Sequence, residues 1–251
     1  MIDLARVFYR QIGLSGTAFK APHVTLFQAV MAEKSPAEEK NELIFYGDIV
    51  SDMAKQEAES FGVTDGLISP TDFKTHLKEV ANRSKDDIRI RMNSRGGEVF
   101  AAGVMYQAMT ELRQSGRRIE TIIDGVAASA ASFVMLASNA VHAHRLSSVM
   151  IHRGHGIAMG NAEDFRHMAG VLEGQDRKVA PVYAKAMNTS EDDVLALMSK
   201  ETWFHGKEIV DAGLANVLLS DGDKSIEQKM RSQEMEMSDK MSRRVWQSIQ
   251  L

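Results

Sequence analysis

The sequence predicts an α/β protein with a largely parallel sheet, and three observations carry that expectation. Short apolar runs bounded by turn residues recur along the chain and alternate with helical segments, the pattern of strands joined by crossover helices. The main helical segments open on recognisable cap signatures. Finally, 251 residues, 44% hydrophobic and 25% charged, are enough to bury a core and match an ordinary globular composition.

The elements follow in order. Residues 1–41 form a mixed N-terminal extension, with a short helix to Ile12, a Gly-Leu-Ser-Gly break, a strand-like run from His23 to Val30 and a polar stretch from Lys34 to Glu42. Leu43–Ile49 is a compact apolar run, a buried strand. Ser69 is placed as an N-cap, with Pro70 at the first helical position and Asp72 three residues after the cap. Phe73, Leu77 and Val80 then share one helical face. Asp87–Met92 alternates as a strand and runs into Asn93-Ser94-Arg95-Gly96-Gly97. A helix is expected from about Val99 to Ser115, stopped by Gly116. Arg118–Asp124 is a strand ended by Gly125, followed by a small-residue helix through Ser138. Ala140–His144 and Ser148–His152 are two more strands. Asn161 caps a long helix to about Met187, and Ser190 with Asp193 caps another. The tail from Asp221 to Leu251 places Ile226, Met230, Met237, Met241 and Val245 near one side of a helix.

Composition excludes several functions. There is no cysteine, which rules out a disulfide scaffold, a Cys-ligated zinc site and a cysteine nucleophile. The 34 acidic and 30 basic side chains leave a formal charge of −4, so no nucleic-acid partner is expected. No apolar run suits a membrane span, and the start of the chain does not read as a secretory signal; the expectation is a cytoplasmic protein without a membrane partner. The tail's basic and acidic residues nearly cancel, so its methionine stripe reads as a packing face for a subunit or partner.

Three turns at strand ends carry the chemistry. Gly96 and Gly97 let the backbone approach a ligand and point N–H groups outward. Ser129 falls at a helix start, where unpaired N–H groups favour negative charge. His152 ends a strand. Nucleophile, base and oxyanion donors are the parts needed for acyl transfer, with the Gly97 and Ala130 N–H groups as the oxyanion hole. The Gly-x-Ser-x-Gly elbow is absent, which argues against an α/β-hydrolase. His142 and His144 share a strand face and read as polar surface rather than as metal ligands; no metal or cofactor is expected. Ser132 shares a helical face with Ser129 but lies too deep to be the nucleophile.

The ordered set NSRGG, GVAASAASF and MIH resembles the Clp peptidase family, with an Asn-Ser-Pro-Gly-Gly turn, a Gly-x-Ala-Ala-Ser nucleophile segment and a Met-Ile-His base. The resemblance runs from about Glu42 to Ser220 and takes in YGDI and FHGKEIVDAGLAN. It implies a Clp- and crotonase-type spiral of strand-turn-helix units spanning 42–220, with helical extensions at 1–41 and 221–251. It further implies Ser129 as nucleophile, His152 as general base, substrate contact at Gly96 and a ring-shaped homo-oligomer enclosing the serines.

Two departures stand out. Arg95 replaces the proline of the glycine turn, and Thr202 stands where the family has its aspartate, with Glu201 beside it. Glu201, Thr202 or a backbone carbonyl is then the partner of His152, or the site is a dyad. His155 lies either along the substrate groove or in an exposed loop. The stretches FAAGVMYQAM, IHRGHGIAMGNAEDF and ETWF are similar to Clp-related bacteriophage head-maturation proteases. That implies processing of capsid or scaffold precursors, capsid or portal partners, and a place in the host cytoplasm or prohead interior. No Gly-x-x-x-x-Gly-Lys-Ser/Thr sequence is present, so the chain is expected to be ATP-independent by itself. A cellular Clp subunit working with a separate ATPase, a crotonase-like acyl-CoA enzyme and an inactive shell-forming homologue are the alternatives.

Overall fold

The structure, a computed structural model, describes residues 41–219; the expectations for the N-terminal extension and the C-terminal tail lie outside the described residues. In chain order the elements are β1 (Glu42–Tyr46), β2 (Asp48–Ile49), α1 (Asp52–Ser60), β3 (Leu67–Ile68), α2 (Pro70–Arg83), β4 (Ile88–Ser94), α3 (Val99–Gln114) and β5 (Ile119–Ala128). They continue with α4 (Ala130–Val134), a 3-10 turn at Met135–Ala137, β6 (Ala140–His144), β7 (Ser148–Ile151), α5 (Ala162–Met187), α6 (Glu191–Ser199), β8 (Thr202–His205), α7 (Lys207–Asp211) and β9 (Val217–Leu219).

The expected alternation is present, and the main sheet runs β1-β4-β5-β6-β9 with all four pairings parallel. β4 shows why these segments are strands. Ile88, Ile90 and Met92 are fully buried on one side, while Arg91 on the other grips Asp124 of β5 through Nε (2.9 Å) and Nη2. Tyr46 Oη donates to the same carboxylate at 2.6 Å. Burial and that carboxylate push the Tyr46 phenol up to about 12. The helices cover the apolar side, where Phe45 of β1 meets Phe73 of α2 edge-on, ring centroids 5.4 Å apart.

The caps fall where the sequence puts them. Ser69 Oγ accepts the Asp72 N–H at 3.3 Å and Pro70 opens α2. Asn161 accepts from Glu163 and Asp164, and Asp164 returns a bond to the Asn161 N–H, a complete capping box for α5. Ser190 caps α6 by accepting from Asp193 at 3.1 Å.

Three features differ from the expectation. α1 is a helix with Ser51 as its cap, yet it buries no residue, so no apolar periodicity announces it. β2 and β3 are two-residue strands paired with each other, and Ile49 of β2 also bridges Gly97. Most consequential, β5 does not stop at Gly125 but continues to Ala128. Between the Met92–Ile123 and Ser94–Ala127 pairings β5 uses two more residues than β4. Gly125 fits there because a Cβ would come 2.7 Å from Asn93 Oδ1, which accepts the Val126 N–H at 3.2 Å. Past this irregularity β5 leaves β6 and pairs with β7 instead, Val126–Ala128 against Ser148–Met150. β7 in turn takes β8 as an antiparallel neighbour, Met150 opposite Trp203. The strand therefore splits two parts of the sheet, and the residue after it is Ser129.

Candidate active site

Ser129 follows β5 directly and is the N-cap of α4, with φ +52° and ψ −126°. A non-glycine residue at such a φ is strained by about 1–3 kcal/mol and persists only where its surroundings hold it. Here they do so on both sides. The Ser129 N–H donates to the Met150 carbonyl of β7 at 2.9 Å. Its carbonyl accepts from the Ser132 N–H at 3.0 Å and from Ser132 Oγ at 2.6 Å. Ser132 Oγ also bonds the buried Tyr183 hydroxyl of α5 at 2.5 Å, and that hydroxyl reaches the Ser129 carbonyl at 3.5 Å. Burial raises the Tyr183 phenol above its ordinary range, so it stays a neutral hydrogen-bonding group.

This conformation aims the Ser129 hydroxyl at His152, whose Nε2 lies 2.6 Å from Ser129 Oγ. That is a direct proton-transfer distance. With Nε2 facing the hydroxyl as acceptor, the ring proton resides on Nδ1. Burial holds the imidazole below the usual histidine value and the charge of His155 adds to this, while Glu201 and Asp176 act in the opposite direction. His152 is therefore neutral near pH 7, the form a base requires. The His155 ring packs edge-on against it, centroids 4.6 Å apart.

The glycine turn lies against the same serine. A Cβ on Gly96 (φ +94°) would fall 2.5 Å from the Ala128 oxygen, 2.7 Å from the Ala130 nitrogen and 2.8 Å from Ser129 Cβ. Ser94 Oγ accepts the Gly96 N–H at 3.1 Å, and Ile49 bridges the turn, donating to the Gly96 carbonyl at 2.7 Å and accepting the Glu98 N–H at 2.9 Å. The turn's own bonds thus occupy the N–H groups of Gly96 and Glu98 and leave those of Gly97 and Ala130. Arg95, in the family's proline position, is exposed and pairs with Asp48 at 2.5 Å. A hydroxyl poised on an imidazole, beside backbone N–H groups that have no backbone partner among the described residues, can form and stabilise a tetrahedral oxyanion.

Neither predicted partner of His152 makes that bond. Thr202 Oγ1 donates to the Leu197 carbonyl at 2.7 Å, which turns it toward α6. Glu201 sits at φ +50° and accepts from Trp203 Nε1 at 3.4 Å; its charge reaches His152, but no hydrogen bond joins them. Among the described residues His152 Nδ1 is buried without a hydrogen-bond partner. Three residues around the site escaped sequence reasoning: Ser94, Tyr183 and Asp176. The Ser-x-Gly spacing at 94–96 is a usable turn signal, whereas nothing local distinguishes Tyr183 or Asp176 within a long helix.

His142 and His144 face the same side of β6, with Nε2 atoms 3.7 Å from Glu120 and 3.8 Å from Asp124. Among the described residues no group of three or more His, Cys, Asp or Glu side chains is placed to hold a metal. No helix of the described residues is long and apolar enough to cross a membrane.

Comparison with known proteins bears on this geometry. The Clp protease family model matches residues 74–221. The chain is 31% identical over 135 residues to an ATP-dependent Clp protease proteolytic subunit of Bacteroides fragilis, covering 53% of this chain and 64% of that protein. It is 28% identical over 138 residues to ATP-dependent Clp protease proteolytic subunit 1 of Leifsonia xyli, covering 54% and 68%. The match to the Bacteroides protein thus spans a little under two thirds of that protein's length. Among solved structures, a ClpP1 point mutant from Listeria monocytogenes superposes with a TM-score of 0.58 over 79% of this chain and 98% of that one, at 20% identity. The expected Clp-type α/β fold is the fold observed.

Proposed function

The chain belongs to the Clp protease family, and on that premise we propose that it is a serine endopeptidase with Ser129 as nucleophile and His152 as general base. One observation carries the reading: the 2.6 Å contact between Ser129 Oγ and His152 Nε2 at a strained turn held from both sides. His152 takes the hydroxyl proton as Ser129 attacks the scissile carbonyl. The Gly97 and Ala130 N–H groups stabilise the oxyanion, and removing one such donor typically costs about 10²–10³ in turnover. The imidazolium protonates the leaving amine, and a water activated by the same histidine releases the acyl-enzyme. Gly96 and His155 border the path of the substrate chain. A fluorophosphonate probe tests the assignment. Covalent labelling at Ser129, absent in Ser129→Ala, is the expected result; labelling elsewhere or none overturns it and favours an inactive shell-forming homologue.

The protein substrate and assembly follow from the same reading. The chain works as a ring-shaped homo-oligomer, and its flanks at 1–41 and 221–251 hold what is particular to it. The motif wording around the site supports a head-maturation role, the processing of capsid or scaffold precursors with capsid or portal proteins as partners. The names of the relatives, proteolytic subunits of ATP-dependent Clp proteases, support equally a cellular subunit that receives unfolded chains from a separate ATPase. Incubation with capsid precursor alone, and with a Clp-type ATPase, ATP and an unfolded reporter, separates the two. Precursor cleavage without nucleotide selects the first, and ATP-dependent reporter degradation selects the second.

A further inference from the structure

We propose that Asp176 is the positioning carboxylate of this site, holding the chain just after His152 and placing a fixed negative charge near its imidazole. The proposal rests on the reading of Ser129 and His152 as nucleophile and base. The family's aspartate position is occupied by Thr202, whose hydroxyl is committed to Leu197, so the orienting function has to come from elsewhere. An imidazole that takes a proton needs its Nδ1 side fixed in place and a negative charge within reach.

Asp176 lies in α5 with its side chain 5% exposed. Oδ1 accepts the Gly154 N–H at 2.8 Å. Oδ2 faces Arg153 Nη1 at 3.5 Å, and Arg153 Nε donates to Ser199 Oγ of α6 at 2.6 Å. The Arg153 N–H is itself bound to the Met198 carbonyl at 3.1 Å. Both peptide N–H groups after His152 are thus tied down, one to α6 and the other to Asp176. Side chains at Gly154 or Gly156 would meet Leu172 of α5 at 3.5 Å, so this part of the chain lies directly on the helix. A buried carboxylate must be hydrogen-bonded or paired to be tolerated. Asp176 meets that requirement entirely with the two residues that follow the base.

Among the described residues, His155 from its own segment, Glu201 from the α6–β8 junction and Asp176 from α5 act electrostatically on His152, and Arg153 follows it directly in the chain. Both carboxylates favour the protonated imidazole, Glu201 more strongly. Glu201 is exposed, however, and among the described residues its carboxylate accepts from an exposed tryptophan. Asp176 is the one whose position is set by packing. The two divide the role, Glu201 contributing charge and Asp176 contributing charge together with placement of the backbone.

Asp176→Asn tests this, because the amide oxygen can still accept the Gly154 N–H while the charge is gone. Fluorophosphonate labelling at Ser129 is followed against pH in wild type, Asp176→Asn and Glu201→Gln, with a melting curve for each. The expected result for Asp176→Asn is labelling slowed by roughly 10- to 100-fold. Its acid limb should also move to lower pH, since an imidazole deprived of a nearby negative charge is harder to protonate. A wild-type rate overturns the proposal, and so does a lower melting temperature with an unmoved acid limb, which marks a purely structural residue. If Asp176→Asn does not fold, Asp176→Glu keeps the charge and displaces it by one methylene. Slower labelling with a wild-type acid limb and a wild-type melting temperature then supports the proposal; a wild-type rate, or slower labelling with a lowered melting temperature, overturns it. An unlabelled wild-type protein strikes the Ser129 assignment itself and brings both readings down, an outcome distinct from failure of the variant alone.

Discussion

Substituting Gly96 by alanine adds a single methyl group and should disable the site. Gly96 is at φ +94°, a conformation that costs an alanine about 1–2 kcal/mol. The added carbon would also stand 2.5 Å from the Ala128 oxygen and 2.7 Å from the Ala130 nitrogen. Both are backbone atoms that cannot rotate aside, so relief requires moving the turn or the serine, a further ~1–3 kcal/mol. The sum, about 2–5 kcal/mol, corresponds to a drop in melting temperature of roughly 4–20 °C for a chain of this size. Displacing Ser129 by even a fraction of an ångström lengthens its 2.6 Å contact with His152, and misplacement of about 1 Å costs around 10²-fold in rate. The assay pairs thermal unfolding with the second-order rate of fluorophosphonate labelling. Gly170→Ala is the control, since a Cβ there meets nothing within 4 Å in the exposed middle of a helix. That substitution should be neutral or stabilising by up to about 1 kcal/mol. If Gly96→Ala labels at the wild-type rate and melts with the control, the close approach of Gly96 to Ala128 and Ala130 does not exist.

Other expectations are as direct. The labelling rate should fall on acidification with a midpoint below about 6.5, because burial depresses His152 and keeps it a free base to lower pH than an ordinary histidine. The same depression means the unfolded chain binds the proton more readily, so the stability linked to His152 is full above the unfolded value and declines as pH falls through and below it. A labelling midpoint above 6.5 contradicts this ordering. Phe45→Ala removes a fully buried ring from its edge-on contact with Phe73 and should cost about 3–5 kcal/mol by denaturant titration; a loss under 1 kcal/mol would show that the pair is not part of the core. Tyr183→Phe removes the hydroxyl bonded to Ser132 and should slow labelling several-fold while the probe concentration at half-saturation stays unchanged. An unchanged rate would mean that the Ser129 carbonyl is held by Ser132 alone.

Much of this was legible in the sequence because its signals are local. Ser69-Pro70-x-Asp72 and Asn161 announce helix starts, the first through a bond that spans three residues. The alternation of Ile88, Ile90 and Met92 reports a face, and faces are what burial selects. The three chemical turns were legible for the same reason, since each lies where a strand ends. What escaped depends on distant partners. β2 and β3 are two residues each and are defined by their pairing with one another and by the Ile49 bridge to Gly97. α1 presents no apolar stripe because it buries nothing. Gly125 reads as a stop signal, whereas the strand passes through it to accommodate the Asn93 side chain. Asp176 is one acidic residue among several in α5, and its role appears only when the helix is laid against the segment after His152, 22 residues away from the Gly154 it holds.

The two additional residues that β5 takes up opposite β4 act as a phase setting for the nucleophile. Side chains along a strand alternate faces with every residue. Deleting one of the two should invert the phase downstream and turn the Ser129 side chain away from His152. Deleting Gly125 and Val126 together should leave Ala127 opposite Ser94 in an unbroken ladder, but it removes the Val126 N–H that Asn93 Oδ1 accepts and the Val126–Ser148 pairing that ties β5 to β7. The distance between these two side chains is therefore written in the chain's length between Ile123 and Ala127 as much as in the identity of either residue, and an insertion or deletion there should be harder to rescue than any single substitution nearby.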